Sequence, residues 1–128
     1  MSFLPSSHML FKTGCALGAL GVGLGAYGSH GLPPALAKRF PDLPKERMDR
    51  KLKNWDTAVS YHLVHAVVMC LAASRGHRVA GTLFLTGILG FSGSMYALTL
   101  GVGPTRVLGP ATPLGGLGLM AAWISMIF

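Results

Sequence analysis

The sequence predicts an all-α protein that spans a membrane as a four-helix bundle with small-residue helix packing. The chain of 128 residues is 51% hydrophobic and 12% charged, and its mean hydropathy is +0.51, which is too apolar for a water-soluble domain. Ten of its charged side chains fall between Lys38 and Lys53. Four apolar stretches of about 20 residues flank this segment, and each could cross a hydrocarbon core about 30 Å thick. This composition excludes an ordinary soluble enzyme domain, and we expect no nucleic acid partner.

The predicted spans of this single domain, 1–128, cover about residues 9–27, 55–73, 79–100 and 107–128, with a basic loop at 29–54. The third span contains no charged residue. In the fourth span, Pro110 and Pro113 are expected to confine the regular helix to Pro113 onward. The reason is that proline lacks the N–H that a helix interior needs and is tolerated in a first turn.

The basic residues flank the apolar spans, so the net charge of +7 predicts membrane topology rather than a phosphate-binding patch. Eight of the eleven Lys and Arg residues lie in the loops 29–54 and 101–106. The positive-inside rule therefore places the long basic loop on the matrix or cytoplasmic side and both termini on the opposite side. An alternative interprets residues 1–28 as a cleaved secretory signal, with Ala26 and Gly28 as the small residues before the cleavage site.

Small residues recur at helical spacing in three of the spans. In lipid, close approach of backbones through small side chains is a main source of helix packing energy. The predicted packing residues are Gly14, Gly18, Gly21, Gly25 and Gly28 of the first span, Gly90 and Ser94 of the third, and Gly115 and Gly118 of the fourth. Packing inside one bundle is the simpler interpretation, and a helix of another subunit is the alternative.

The second helix is predicted to extend beyond the membrane, because neither glycine nor proline interrupts residues 45–75. On this extension Met48, Leu52 and Trp55 form an apolar stripe at helical spacing. The stripe either rests on lipid headgroups or on the rest of the chain, or it forms a docking edge for a partner protein.

Ionisable groups at membrane depth are candidate functional residues, since they are costly to keep there without partners. The chain offers His30, Asp56, His62 and His65. Three interpretations stay open for the two central histidines: neutral rings bonded to neighbouring helices, a proton relay with Asp56, or ligands of a cofactor. Further ligands for a cofactor or metal are not evident, so we expect neither, and no catalytic triad can be assembled.

The sequence contains two cysteines, Cys15 and Cys70, which are too few for a disulfide framework. The topology places both toward the terminal side of the membrane. They are interpreted as ordinary buried thiols, with a single bond between them as the alternative.

Residues 25–32, Gly-Ala-Tyr-Gly-Ser-His-Gly-Leu, resemble the signature of the domain-of-unknown-function 423 family, whose members are small membrane proteins similar to transmembrane protein 256. Blocks at 55–66, 89–98 and 112–116 match the same family pattern in order. The resemblance implies a four-helix integral protein of bacterial plasma membranes or of eukaryotic, mitochondrial membranes, and it implies no activity. The basic insert at 33–54 departs from the short family pattern.

Two functional hypotheses follow. The first is a non-catalytic subunit that packs by its glycine faces into a larger complex, a respiratory-chain assembly of the mitochondrial inner membrane, with membrane lipids and helices of other subunits as its partners. A bacterial plasma membrane is the alternative location. The second hypothesis is a small oligomeric carrier or proton-handling protein that uses His30, His62 and His65. An enzyme of lipid or quinone chemistry would need a nucleophile and base that the sequence does not supply.

Overall fold

The computed structural model describes residues 3–128, which are mostly helical. The elements are α1 (Ser7–His30), α2 (Leu32–Arg39), α3 (Lys45–Ser74), α4 (Arg78–Ile88), a π-helical turn (Leu89–Gly93), α5 (Ser94–Leu100) and α6 (Thr105–Ser125). Together α4, the π-helical turn and α5 form one continuous rod. This rod, α1, α3 and α6 are each long and apolar enough to cross a membrane. The all-α class and the four predicted spans are therefore confirmed.

The four long helices pack in an order that differs from their order in the sequence. The most extensive contacts join α1 to α3, α3 to α4, and α4 to α6. Thus α3 and the α4–α5 rod are central, while α1 and α6 flank them. One apolar cluster, which includes Met69, Phe84 and Leu119, is buried where α3, α4 and α6 meet. A second cluster, around Trp55, lies at the end of the bundle that carries α2.

The predicted loop 29–54 is largely helical, and its first helix, α2, was not predicted. Helix α2 begins at Leu32, and prolines occupy its first turn, where the missing N–H has no helical partner to lose. Leu32 and Leu36 are fully buried, so α2 folds back onto the bundle as a short amphipathic helix. Helix α3 begins at Lys45, well before its apolar part, as predicted.

Helix α6 begins at Thr105 and runs through both prolines, so the prediction that its regular part starts at Pro113 is wrong. Prolines are tolerated inside membrane helices when neighbouring helices and Ser or Thr side chains supply other contacts. Here the hydroxyl of Thr112 donates to the carbonyl of Leu108 at 3.2 Å and lies 2.6 Å from the hydroxyl of Ser94. These contacts hold α6 against α5 at the level of the prolines.

The π-helical turn was not predicted. It inserts an extra residue into the rod and turns Ser92 toward α3, where the hydroxyl donates to the carbonyl of Ala58 at 2.7 Å. The same turn contains Gly90, which meets α6. Such turns are frequent at functional sites in helices, and this one joins the two central helices at mid-length.

Candidate functional site

Four of the five predicted packing glycines of α1 lie against α3. The helices approach so closely that a methyl group added at these glycines would collide with, or lie in tight contact with, side chains of α3. Such a group at Gly14 would lie 2.5 Å from Cys70 Sγ, and one at Gly28 would lie 2.5 Å from Trp55 Cδ1. Gly21 and Gly25 face Leu63 and Val59 in the same way. In contrast, Gly18 has no such atom within 4 Å.

The glycines of the third and fourth spans face each other across the interface between the rod and α6. A methyl group at Gly90 would lie 3.0 Å from Gly115 Cα. Gly118 lies opposite Gly87, which the sequence analysis missed, and a methyl group at Gly87 would meet the side chain of Leu119 at 2.6 Å. The spacing of three residues between Gly87 and Gly90 was the signal that could have revealed this position.

His62 is 2% exposed and uses both of its ring nitrogens within the chain. The carbonyl oxygen of Leu17 only accepts hydrogen bonds, so Nε2 carries the proton and donates to it at 2.7 Å. Nδ1 then accepts a hydrogen bond from the hydroxyl of Tyr96 at 3.0 Å. This imidazole therefore links α3 to α1 and to α5, which matches the interpretation of a neutral ring bonded to neighbouring helices.

His65 is 7% exposed and has different neighbours. Its Nδ1 donates to the carbonyl of Tyr61, one turn earlier on α3, at 2.6 Å. The ring lies beside Phe84 of α4 and Trp123 of α6, with centroid distances of 5.9 and 6.2 Å. The two central histidines therefore share the inner side of α3 but contact different helices: His62 contacts α1 and α5, and His65 contacts α4 and α6.

The other two candidate polar residues are not near these histidines. His30 is exposed at the last position of α1, and Asp56 is exposed on α3, where its backbone carbonyl accepts from the hydroxyl of Ser60 at 2.9 Å. Asp56 makes no ion pair with any residue of the range 3–128. Within that range, no three His, Cys, Asp or Glu side chains are grouped to hold a metal ion. The four residues do not form a single polar site.

Met48, Leu52 and Trp55 pack against this chain's own helices, which agrees with the alternative that the stripe rests on the rest of the chain; a docking edge for a partner stays a prediction. All three belong to the second apolar cluster, together with Leu32 and Leu36 of α2. Trp55 is 2% exposed, because α2, together with α1 and α5, covers this end of the stripe on α3. No sequence signal revealed this cover, since α2 lies inside a segment rich in charge and proline.

Trp55 is the centre of that cluster and touches three elements. Its indole N–H donates to the carbonyl of Leu24 on α1 at 2.9 Å. Its ring lies 4.6 Å from the ring of Tyr96 and 5.7 Å from that of Tyr27, and Gly28 leaves the space that the indole fills. The residue therefore joins α1, α2 and α5 to α3.

Two basic side chains of the insert also have structural partners that the sequence did not reveal. The ammonium group of Lys51 donates to the carbonyls of Leu98 and Thr99 at 3.2 and 2.9 Å. The guanidinium group of Arg39 donates to the carbonyl of Gly101 at 3.1 Å. Both cations thus bind carbonyls at the C-terminus of α5, where positive charge is favourable. The partners lie about fifty to sixty residues apart in the sequence, so no local sequence pattern could predict these hydrogen bonds.

Cys15 and Cys70 are both free, and their sulfur atoms lie 3.9 Å apart across the contact between α1 and α3. The two cysteines therefore lie at the same level of the bundle. Cys15 is exposed on the surface of the bundle and Cys70 is half-buried, so the two thiols are free but are not buried as the sequence analysis expected.

Comparisons with known proteins give the chain a family. A family model described as a protein of unknown function, DUF423, matches residues 24–116. A UPF0382 membrane protein of Schizosaccharomyces pombe is 37% identical over 125 residues, which cover 92% of this chain and 98% of the relative. The UPF0382 membrane protein YwdK of Bacillus subtilis is 35% identical over 116 residues and 84% of each chain. No solved structure matches. The chain therefore belongs to the DUF423 family, a family of membrane proteins of unknown function.

Proposed function

We propose that this protein is a non-catalytic integral membrane subunit that packs laterally against helices of a larger complex. The complex we favour is a respiratory-chain assembly of the mitochondrial inner membrane. Relatives in Bacillus subtilis and Staphylococcus haemolyticus are named membrane proteins, which supports the bacterial plasma membrane as the alternative location. The proposal leaves the long basic segment on the matrix or cytoplasmic side, as the positive-inside rule predicts.

The observation that carries the proposal is a second line of small residues on the outside of α1. It consists of Ala16, Ala19, Gly23 and Ala26, at intervals of three, four and three, and all four residues are exposed. A methyl group at Gly23 would meet no atom outside its own helix within 4 Å. Small side chains at this spacing allow a second helix to approach closely, whereas larger side chains are the better contact for lipid.

The flanking position of α1 supports the same conclusion. In the most apolar part of α1 only 17% of the residues are buried, as in α6, the other flanking helix, compared with 44% in α3. The inner glycines, which include Gly14 and Gly28, are already in contact with α3. The glycine face of α1 therefore packs against α3 of the same chain. The small residues on the outer face remain available to contact another helix.

The arrangement of polar residues favours a subunit over a proton-handling carrier. A relay would need His62 and His65 on one continuous route. Both ring nitrogens of His62 are instead hydrogen-bonded, to Leu17 and Tyr96. His65 lies among aromatic rings of α4 and α6. The two histidines therefore do not form one route across the bundle, which supports the subunit.

Replacing Gly23 with leucine tests the proposal. The Gly23→Leu side chain would project from the outer face, so the bundle should fold normally while the partner helix is held away. We expect at least a tenfold loss of co-migration with the high-mass assembly on a mild-detergent native gel of membranes. This corresponds to about 1.4 kcal/mol of lost association energy.

Val22→Leu is the matched control, because Val22 is exposed on the same helix and already carries a branched side chain. The control should migrate as the original protein does. If Gly23→Leu also leaves the migration unchanged, the outer small residues are not an interface and the proposal is wrong at this surface.

A further inference from the structure

A groove open to the membrane lies between α3 and α6, beside His65. It is lined by Ser60, Tyr61, Val64 and His65 of α3 and by Trp123 of α6, and its volume is about 380 Å³. Helices α3 and α6 each pack against α4, and the groove lies between them beside that helix. Counted from Ser74 at 1.5 Å per residue, His65 lies about 14 Å along the helix, within the hydrocarbon region.

His65 brings to this groove a hydrogen-bond acceptor that is unpartnered within residues 3–128. The carbonyl of Tyr61 can only accept, so Nδ1 of His65 holds the proton of the neutral ring and Nε2 is left with a lone pair. Nε2 has no hydrogen bond to any residue of the range 3–128. In that range, no fully buried side-chain nitrogen or oxygen lacks a partner, so Nε2 is open to the groove. A hydrogen-bond acceptor thus faces a water-poor space from a side chain that is 7% exposed.

The walls beside this acceptor are flat aromatic rings. Tyr61 stacks on His65 with a centroid distance of 5.6 Å and an interplanar angle of 29°. Trp123 stands edge-on to His65 at 6.2 Å, and Phe84 holds Trp123 in place in a perpendicular contact at 5.7 Å. Tyr61 and Trp123 are each 46% exposed, so both rings present surface to an occupant. Rings of this kind favour a planar aromatic ligand.

We propose that the groove binds a lipid-soluble phenol, meaning an aromatic ring with a hydroxyl group and an apolar tail. The hydroxyl donates to Nε2 of His65, the ring lies against Tyr61 and Trp123, and the tail extends along the outer surface at Val64. A phenol satisfies the acceptor without bringing charge into the hydrocarbon region, where charge is costly. This binding site is independent of the lateral packing proposed above, because it lies on α3 and α6 rather than on the outside of α1.

Two matched probes test the hydrogen bond. We would titrate 4-nonylphenol and its methyl ether, 4-nonylanisole, into the full-length protein in phosphatidylcholine nanodiscs. The ether has the same ring and tail but no donor. Binding is read from the ¹⁵N chemical shift of His65 Nε2 and from Trp123 fluorescence. We expect the phenol to bind about tenfold more tightly than the ether, since one hydrogen bond is at stake, and to shift the Nε2 signal.

Variants separate the groove from the rest of the surface. His65→Phe retains an aromatic ring and removes the acceptor, so the phenol and the ether should bind equally. Val64→Trp fills the mouth of the groove without altering His65, so both probes should bind at least tenfold more weakly, and this variant decides the question if His65→Phe does not fold. Val67→Trp, at a 68% exposed position on α3 that does not line the groove, should bind as the original protein does.

Several outcomes overturn the inference. Equal affinity of the original protein for the phenol and the ether would show that no hydrogen bond to His65 contributes to binding. Equal affinity for 1-nonanol and 4-nonylphenol would show that the groove does not prefer an aromatic ring. Binding of neither probe to the isolated protein would indicate that the groove takes something else, such as a donor side chain of a partner helix.

Discussion

Replacing Gly115 with alanine should destabilise the bundle by about 3 kcal/mol, at the upper end of the cost of overpacking. Gly115 of α6 faces the π-helical turn. An added methyl group would overlap the backbone nitrogen of Phe91 and the carbonyl carbon of Gly90. Since both atoms belong to the backbone, no side-chain rotation relieves the overlap, and α6 must move away from the rod. The free energy of unfolding in detergent micelles measures this loss.

Gly109→Ala is the control for this prediction. Gly109 lies in the same helix, but a methyl group there meets no atom outside the local helix backbone within 4 Å. The substitution should be neutral or should stabilise α6 by up to about 1 kcal/mol through its higher helix propensity. Equal stability of Gly115→Ala and Gly109→Ala would contradict the close contact between α6 and the π-helical turn.

Replacing Trp55 with alanine should cost about 3–5 kcal/mol, the range found when a buried aromatic side chain is removed. Trp55 is 2% exposed, fills the space above Gly28 and supports Leu32 and Leu36 of α2. Its loss also leaves the carbonyl of Leu24 without its donor. We expect α2 to detach before the spans separate, which protease accessibility of the segment around Arg39 would detect.

Trp55→Phe divides this cost into packing and hydrogen bonding. It keeps an aromatic ring among Tyr27 and Tyr96 but removes the N–H, so it should cost about 1 kcal/mol for the bond together with a smaller packing loss. In both variants Trp123 remains as the only tryptophan and reports unfolding by fluorescence. A Trp55→Ala protein as stable as the original would show that α2 is not held by this residue.

The spans and their packing faces were predictable because the membrane imposes simple length and composition rules. The glycine interval in α1 correctly indicated the face that meets α3, and the small residues around Gly90 and Gly115 indicated the contact between the rod and α6. Gly18 shows the limit of this reasoning. It lies on the same stripe, yet no side chain of α3 reaches it, because the spacing of glycines says nothing about the partner's side chains.

The features that were missed depend on contacts between distant parts of the chain. Helix α2 is stabilised because Leu32 and Leu36 pack against Trp55. Helix α6 continues through Pro110 because the contact between Ser94 and Thr112 holds it against α5. The π-helical turn has no local signature. The sequence named His62 and His65 as candidates, but their different roles follow from the helices that surround them, which no periodicity specifies.

Photo-cross-linking in intact membranes would show whether the outer face of α1 contacts another membrane protein. A diazirine analogue of leucine at Leu20, which is 54% exposed and lies between Ala16 and Gly23 on that face, keeps the shape of the original side chain. The same analogue at Leu10, which is 1% exposed, should react only within the chain. We predict a discrete adduct of Leu20 with a different membrane protein, which mass spectrometry identifies as a respiratory-chain subunit. Adducts with lipid alone, or only with a second copy of this chain, would contradict the account.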